Sequence, residues 1–142
     1  MTGRIAGWRG RLDTALGAVR HVPHGWTDGR DCLLGLAGPV IVALTGEDRV
    51  ARWRGRYTTM HGALRVMRAD GFDTLADLVA SILPENGNPA TARLGDVVVL
   101  PADDGFGGLL GVVAGERVFV LGDDGLLTLD RALIQRAFKV GW

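Results

Sequence analysis

The stretch Trp26 to Ala37, WTDGRDCLLGLA, decides how the rest of the chain is read. It holds the only cysteine, Cys32, directly after Asp31. A loop rich in Pro, Gly and His precedes it (His21, Pro23, His24, Gly25, Gly29), and an apolar run follows as far as Leu44. An aspartate at such a junction is a good helix N-cap, because its side-chain oxygen accepts an orphan backbone N–H. Cys32 is then expected in the first helical turn, where the positive end of the helix dipole favours a thiolate. The competing expectation is that a lone cysteine simply packs as a small hydrophobe.

Upstream, residues 4 to 20 read as an amphipathic helix, with Ile5, Trp8, Leu12, Leu16 and Val19 at helical spacing. The N-terminal segment 1–20 is expected to cover the core or to dock on a partner. Downstream, Gly38-Pro39 predicts a kink, since proline removes an N–H and clashes with the preceding turn. Thr45 to Asp48 reads as a turn into a further helical start, with Val50, Ala51 and Trp53 facing inward. Thr58 or Thr59 caps the next helix, whose core face is Met60, Ala63, Leu64 and Met67 and whose end is Gly71. Thr74 to Leu83 is a fourth helical segment, and residues 85 to 92 read as an exposed turn.

From residue 94 the period changes. Strands are expected at 96–100, 109–114, 117–121, 126–129 and 137–140, separated by turn residues, with a short helical turn at 131–136. Helices followed by an antiparallel meander give an α+β class. A chain of 142 residues is read as one domain, 1–142, able to bury a single core.

Composition removes several function classes. The formal net charge is +0, which argues against a general nucleic-acid binder. A single cysteine excludes an internal disulfide framework and thiolate-rich zinc sites. Asp103-Asp104 and Asp123-Asp124 lack the ligand spacing of a calcium loop, and the glycines form no phosphate loop, so no metal and no cofactor is expected. No apolar run reaches membrane-spanning length, and no secretory signal is read at the N-terminus.

Several short motifs follow one another in order: Trp26-x-x-Gly29-x-Asp31-Cys32, Thr45-Gly46-x-Asp48, Arg54-Gly55-Arg56-Tyr57, Gly62-Ala63-Leu64-Arg65, Gly95-Asp96-Val97-Val98 and Ala137 to Gly141. Over about residues 20 to 142 this set resembles the NlpC/P60 cysteine peptidases. It is most similar to a phage and prophage branch of that superfamily, a domain of unknown function found among tail genes. The resemblance implies a papain-like layout, N-terminal helices followed by a small antiparallel sheet, with Cys32 as nucleophile and Trp26, Asp31 and Asp96 as supporting residues. It also implies a histidine at the start of the strand after Gly95-Asp96, where this chain has Leu109, and a third polar group near Phe119 to Leu121, which is apolar.

A cysteine nucleophile needs a base within hydrogen-bond reach and a group that orients it. Leucine takes no proton, so His24 and His61 are the candidate replacements, and Asp123 is the nearest candidate for the third group. Arg54, Arg56 and Tyr57 could bind an anion or could cap a helix and pair with Asp48 or Asp70. Trp26 and Trp142 are candidate sugar-stacking rings or core anchors. The leading expectation is a structural or docking component of a phage or gene-transfer-agent tail tip with a degenerate peptidase fold. Its partners would be baseplate hub or fibre proteins, and it would be made in the host cytoplasm and carried in the virion. The alternatives are an active peptidoglycan-cleaving cysteine peptidase and a tail-assembly factor.

Overall fold

The computed structural model describes residues 3–27 and 29–142. Residues 1 and 2 of the N-terminal segment and Asp28 of the loop before Cys32 lie outside the described residues. The fold is α+β. The helices are α1 (Trp8–Val19), α2 (Gly38–Thr45), α3 (Met60–Ala69) and α4 (Leu75–Ala80). The strands are β1 (Glu85–Asn86), β2 (Val97–Leu100), β3 (Leu109–Ala114), β4 (Arg117–Gly122), β5 (Gly125–Asp130) and β6 (Arg136–Phe138). They form one antiparallel sheet in the order β1-β6-β2-β3-β4-β5.

Several expectations need correction. Helical structure is not confined to the N-terminal half: an unexpected 3-10 turn lies at Pro89–Thr91, and the expected helical turn after Asp130 forms as Arg131–Leu133. The segment 85–92 is not simply an exposed turn. Glu85 and Asn86 pair with Phe138 and Ala137, and Asn86 is buried. The Asn86 side chain accepts from Asn88 N at 3.0 Å and donates to Thr91 Oγ1 at 3.0 Å, so turn chemistry and strand pairing coexist there.

Local signals explain the helix ends. Thr59 Oγ1 accepts from Gly62 N at 2.9 Å and Thr74 Oγ1 from Asp77 N at 3.2 Å, each satisfying an orphan donor of the first turn. On α3, Ala63 and Met67 are buried, but Met60 is 42% exposed and does not belong to the core face. It is the first residue of its helix. Between α2 and α3 only a 3-10 turn forms, Ala51–Trp53; it buries Trp53 and leaves Ala51 exposed, again unlike the expectation.

The segment after Asp31 is a π-helix, Cys32–Ala37, which passes directly into α2. Gly38 N bonds back to Leu33 O, one residue further than in an α-helix. Pro39 follows immediately; it cannot donate, and its ring would press on the carbonyl four residues earlier, so the wider turn accommodates it. Gly35 is required here by close approach, since a Cβ would lie 2.9 Å from Arg30 Cα.

The main core lies between the helices and one face of the sheet, and includes Leu36, Ile41, Leu44, Trp53, Val97 and Leu110. α1 packs on α2 through Leu12 and Leu16 and so covers the core of its own chain. The opposite sheet face has a second, smaller cluster with Val98, Leu100, Val113, Val118, Val120 and Ala137. A Cβ on Gly111 would lie 2.6 Å from Val118 Cγ1, so this packing needs a glycine in β3. No helix among the described residues is long and apolar enough to cross a membrane.

Candidate functional site

Asp31 caps the π-helix as its position predicts, accepting from Leu33 N at 3.3 Å and Leu34 N at 3.4 Å through Oδ2. The same oxygen accepts from the Tyr57 hydroxyl at 2.9 Å. Its second oxygen, Oδ1, is buried with no hydrogen-bond partner. Thus a carboxylate only 2% exposed uses one of its two oxygens.

Beside it, Cys32 opens onto a cavity of about 220 Å³. The floor is apolar, with Leu33, Met67, Leu75, Leu109 and Leu110. One wall is aromatic: Trp26 stacks on Phe106 at 5.6 Å between ring centroids, and meets Tyr57 and His24 edge-on at 6.3 and 5.2 Å. Asp104 and Asp123 also line it. The loop that carries His24 and Trp26 is pinned to the sheet by His24 N donating to Gly122 O at 2.9 Å and Leu126 N donating to Arg20 O at 2.9 Å.

The electrostatics oppose a thiolate. Burial pushes the Cys32 thiol up to about 12 from an ordinary 9.0; the Leu110 backbone amide pulls the other way, while Asp31 and Asp104 raise it further. The dipole argument fails here for a physical reason. Burial outweighs what the backbone amides supply, and two first-turn N–H groups, those of Leu33 and Leu34, are already taken by Asp31. Burial, together with Asp31, also raises the Tyr57 phenol, so Tyr57 stays a proton donor to that carboxylate.

The sequence-derived site residues therefore separate into two groups. Cys32, Asp31, Trp26 and His24 share the cavity, and so does Leu109, the residue standing where a histidine was expected. Among the described residues no side chain hydrogen-bonds to the Cys32 sulfur, and His24 instead packs its ring against Trp26. His61 is exposed on α3 and takes no part in the lining. Asp96 is also outside the cavity. It is fully buried among Arg4, Arg93, Val140 and Trp142, which all donate to its carboxylate. Trp142 Nε1 reaches it at 2.7 Å, so this tryptophan serves as an internal donor.

Of the Arg54-Gly55-Arg56-Tyr57 motif, the two arginines make the expected ion pairs, Arg54 with Asp48 at 3.0 Å and Arg56 with Asp70 at 2.7 Å. Asp70 also accepts from Trp53 Nε1 at 2.9 Å and is held down at about 2, first by Arg56 and then by Trp53. Sequence reasoning missed the Tyr57–Asp31 bond and the parts played by Phe106 and Asp104. These contacts span 26 residues or more, and no local pattern encodes them. Among the described residues no three His, Cys, Asp or Glu side chains converge as a metal site, although Asp104 and Asp123, one from each aspartate pair, line the same cavity.

No curated protein and no solved structure matches this chain. A family described as a domain of unknown function, DUF6950, matches residues 3–140, and the chain belongs to that family.

Proposed function

We propose that this chain is a docking or structural component of a phage or gene-transfer-agent tail tip, built on an NlpC/P60-like, papain-type fold whose catalytic set is degenerate. The observation that carries the non-catalytic half is the surroundings of the Cys32 sulfur. Its thiol is pushed up to about 12, and Leu109 lines the cavity where the resemblance calls for an imidazole. Losing a general base costs a factor of about 10² to 10⁴ in rate. The tail-tip placement and the hub or fibre partners rest on the resemblance to tail-associated proteins.

One observation favours a second reading, an active peptidoglycan-cleaving peptidase: His24 lines the same cavity as Cys32. A shift of its ring away from Trp26 could bring a base to the sulfur. Incubation with purified peptidoglycan separates the two readings. The expected result is no new amino termini from either the wild type or Cys32→Ala. New termini that vanish in Cys32→Ala and in His24→Ala overturn the non-catalytic reading. Mass spectrometry of purified particles then tests the location, and absence from mature particles favours an assembly factor.

A further inference from the structure

Away from the cavity, two indoles each carry two cations. Arg4 and Arg9 lie over Trp8, at 4.2 and 4.5 Å from the ring centroid. Arg93 and Lys139 lie over Trp142, at 3.8 and 4.8 Å. The two stacks are one structure, because Asp96 joins them: it accepts from Arg4 Nη2 at 3.0 Å and from Trp142 Nε1 at 2.7 Å. Arg4 in addition donates to Leu94 O at 2.8 Å and to Val140 O at 2.8 Å, so its guanidinium is held by the backbone of two segments 46 residues apart.

The side-chain charge at this pole is unbalanced. Asp96 is fully buried and already saturated by donors, and the ion pairs of the described residues give Arg9, Arg93 and Lys139 no carboxylate. Arg9 and Arg93 both act on Arg4 as like charges, against the larger attraction of Asp96, so the one buried anion of the cluster is already committed to Arg4. Such a concentration is notable in a chain whose formal net charge is +0. An indole with cations over it holds the charges in place with little loss of side-chain freedom.

We propose that the Trp8–Trp142 pole is a docking surface for an acidic segment of a partner protein. Guanidinium groups suit carboxylates, which they bind bidentately. The rings already carry cations, so the surface presents charge more than open ring face, and base stacking is disfavoured. Leu94, 37% exposed beside Arg93, offers an apolar contact that a peptide side chain uses and a phosphodiester does not. The proposal deepens the docking reading and rests on it.

Calorimetric titration with a short end-capped peptide of glutamates and leucines tests the surface, with an oligothymidylate of equal charge alongside. Peptide binding that weakens with salt is expected, and the triple variant Arg9→Gln, Arg93→Gln, Lys139→Gln is expected to weaken it about tenfold, since each exposed pair contributes a factor of about two. A control triple variant, Arg20→Gln, Arg65→Gln, Arg68→Gln, makes the same change in net charge on exposed positions elsewhere and is expected to bind as the wild type does. No peptide binding, equal loss in both variants, or tighter binding of the oligonucleotide overturns the proposal. Peptidoglycan cleavage, by contrast, removes the docking reading without bearing on these measurements.

Discussion

Two aspartates are buried among the described residues, and they are treated in opposite ways. Asp96, at 0% exposure, has both oxygens occupied by Arg4, Trp142 and the backbone of Arg93 and Val140. Asp31, at 2%, has one oxygen crowded by three donors and the other bare beside a cavity. A fully satisfied buried carboxylate holds structure; a half-satisfied one carries a cost that the fold retains for another reason. The contrast also shows why one Asp in a sequence motif cannot be ranked against another by motif alone.

The largest expected effect breaks the Asp96 side. Asp96→Ala leaves Arg4 with an unpaired charge whose side chain is only 8% exposed, and is expected to lower stability by about 3–5 kcal/mol in urea unfolding. An equal loss from Asp31→Ala would erase the contrast. Next is the chemistry of the other pole. A thiol at about 12 rather than 9.0 holds roughly 10³ times less thiolate at neutral pH, so Cys32 alkylation should be slower than that of a free cysteine by about that factor.

The same shift gives a pH dependence. Above about 9 the unfolded thiol ionises while the folded one stays protonated, so the native state binds more protons and stability falls as pH rises towards 12. The slope from this group reaches about 1.4 kcal/mol per pH unit, and Cys32→Ala is expected to remove that contribution from the alkaline unfolding curve. Tyr57→Phe should cost about 1.5–3 kcal/mol by removing a hydrogen bond to a charged acceptor, read as a fall in the urea midpoint. Asp31→Asn is the smallest change, within about 1 kcal/mol, because it discharges a carboxylate already short of partners. A loss from it as large as that from Asp96→Asn would show that the bare oxygen is satisfied in solution.

Much of the fold is legible from local chemistry. The caps at Asp31, Thr59 and Thr74 fix three helix starts, and alternation with turn residues locates β3, β4 and β5 within a residue or two. What is not legible is set by distant partners. The two-residue β1 is hidden in turn-forming sequence and exists because β6 pairs with it. Met60 carries the right residue type for the core but sits at a helix start that faces solvent. For the site, residue types pointed to Cys32, Asp31, Trp26 and His24, which do share a cavity, and also to His61 and Asp96, which lie elsewhere. The acidity of Cys32 was unreadable because it depends on β3 closing over the sulfur and on Asp31 occupying the helix-start donors.

The six-residue π turn has a consequence for any alignment drawn across it. Compressing Cys32–Ala37 into ordinary helical winding, with the number of residues kept, would swing the sulfur about 100° around the axis and off the cavity. Deleting one residue while tightening the winding would leave it facing as it does now. Relatives that are one residue shorter here can therefore aim the same side chain at the same space, and an apparent gap between Asp31 and Pro39 would mark a change of pitch, with the geometry of the site preserved.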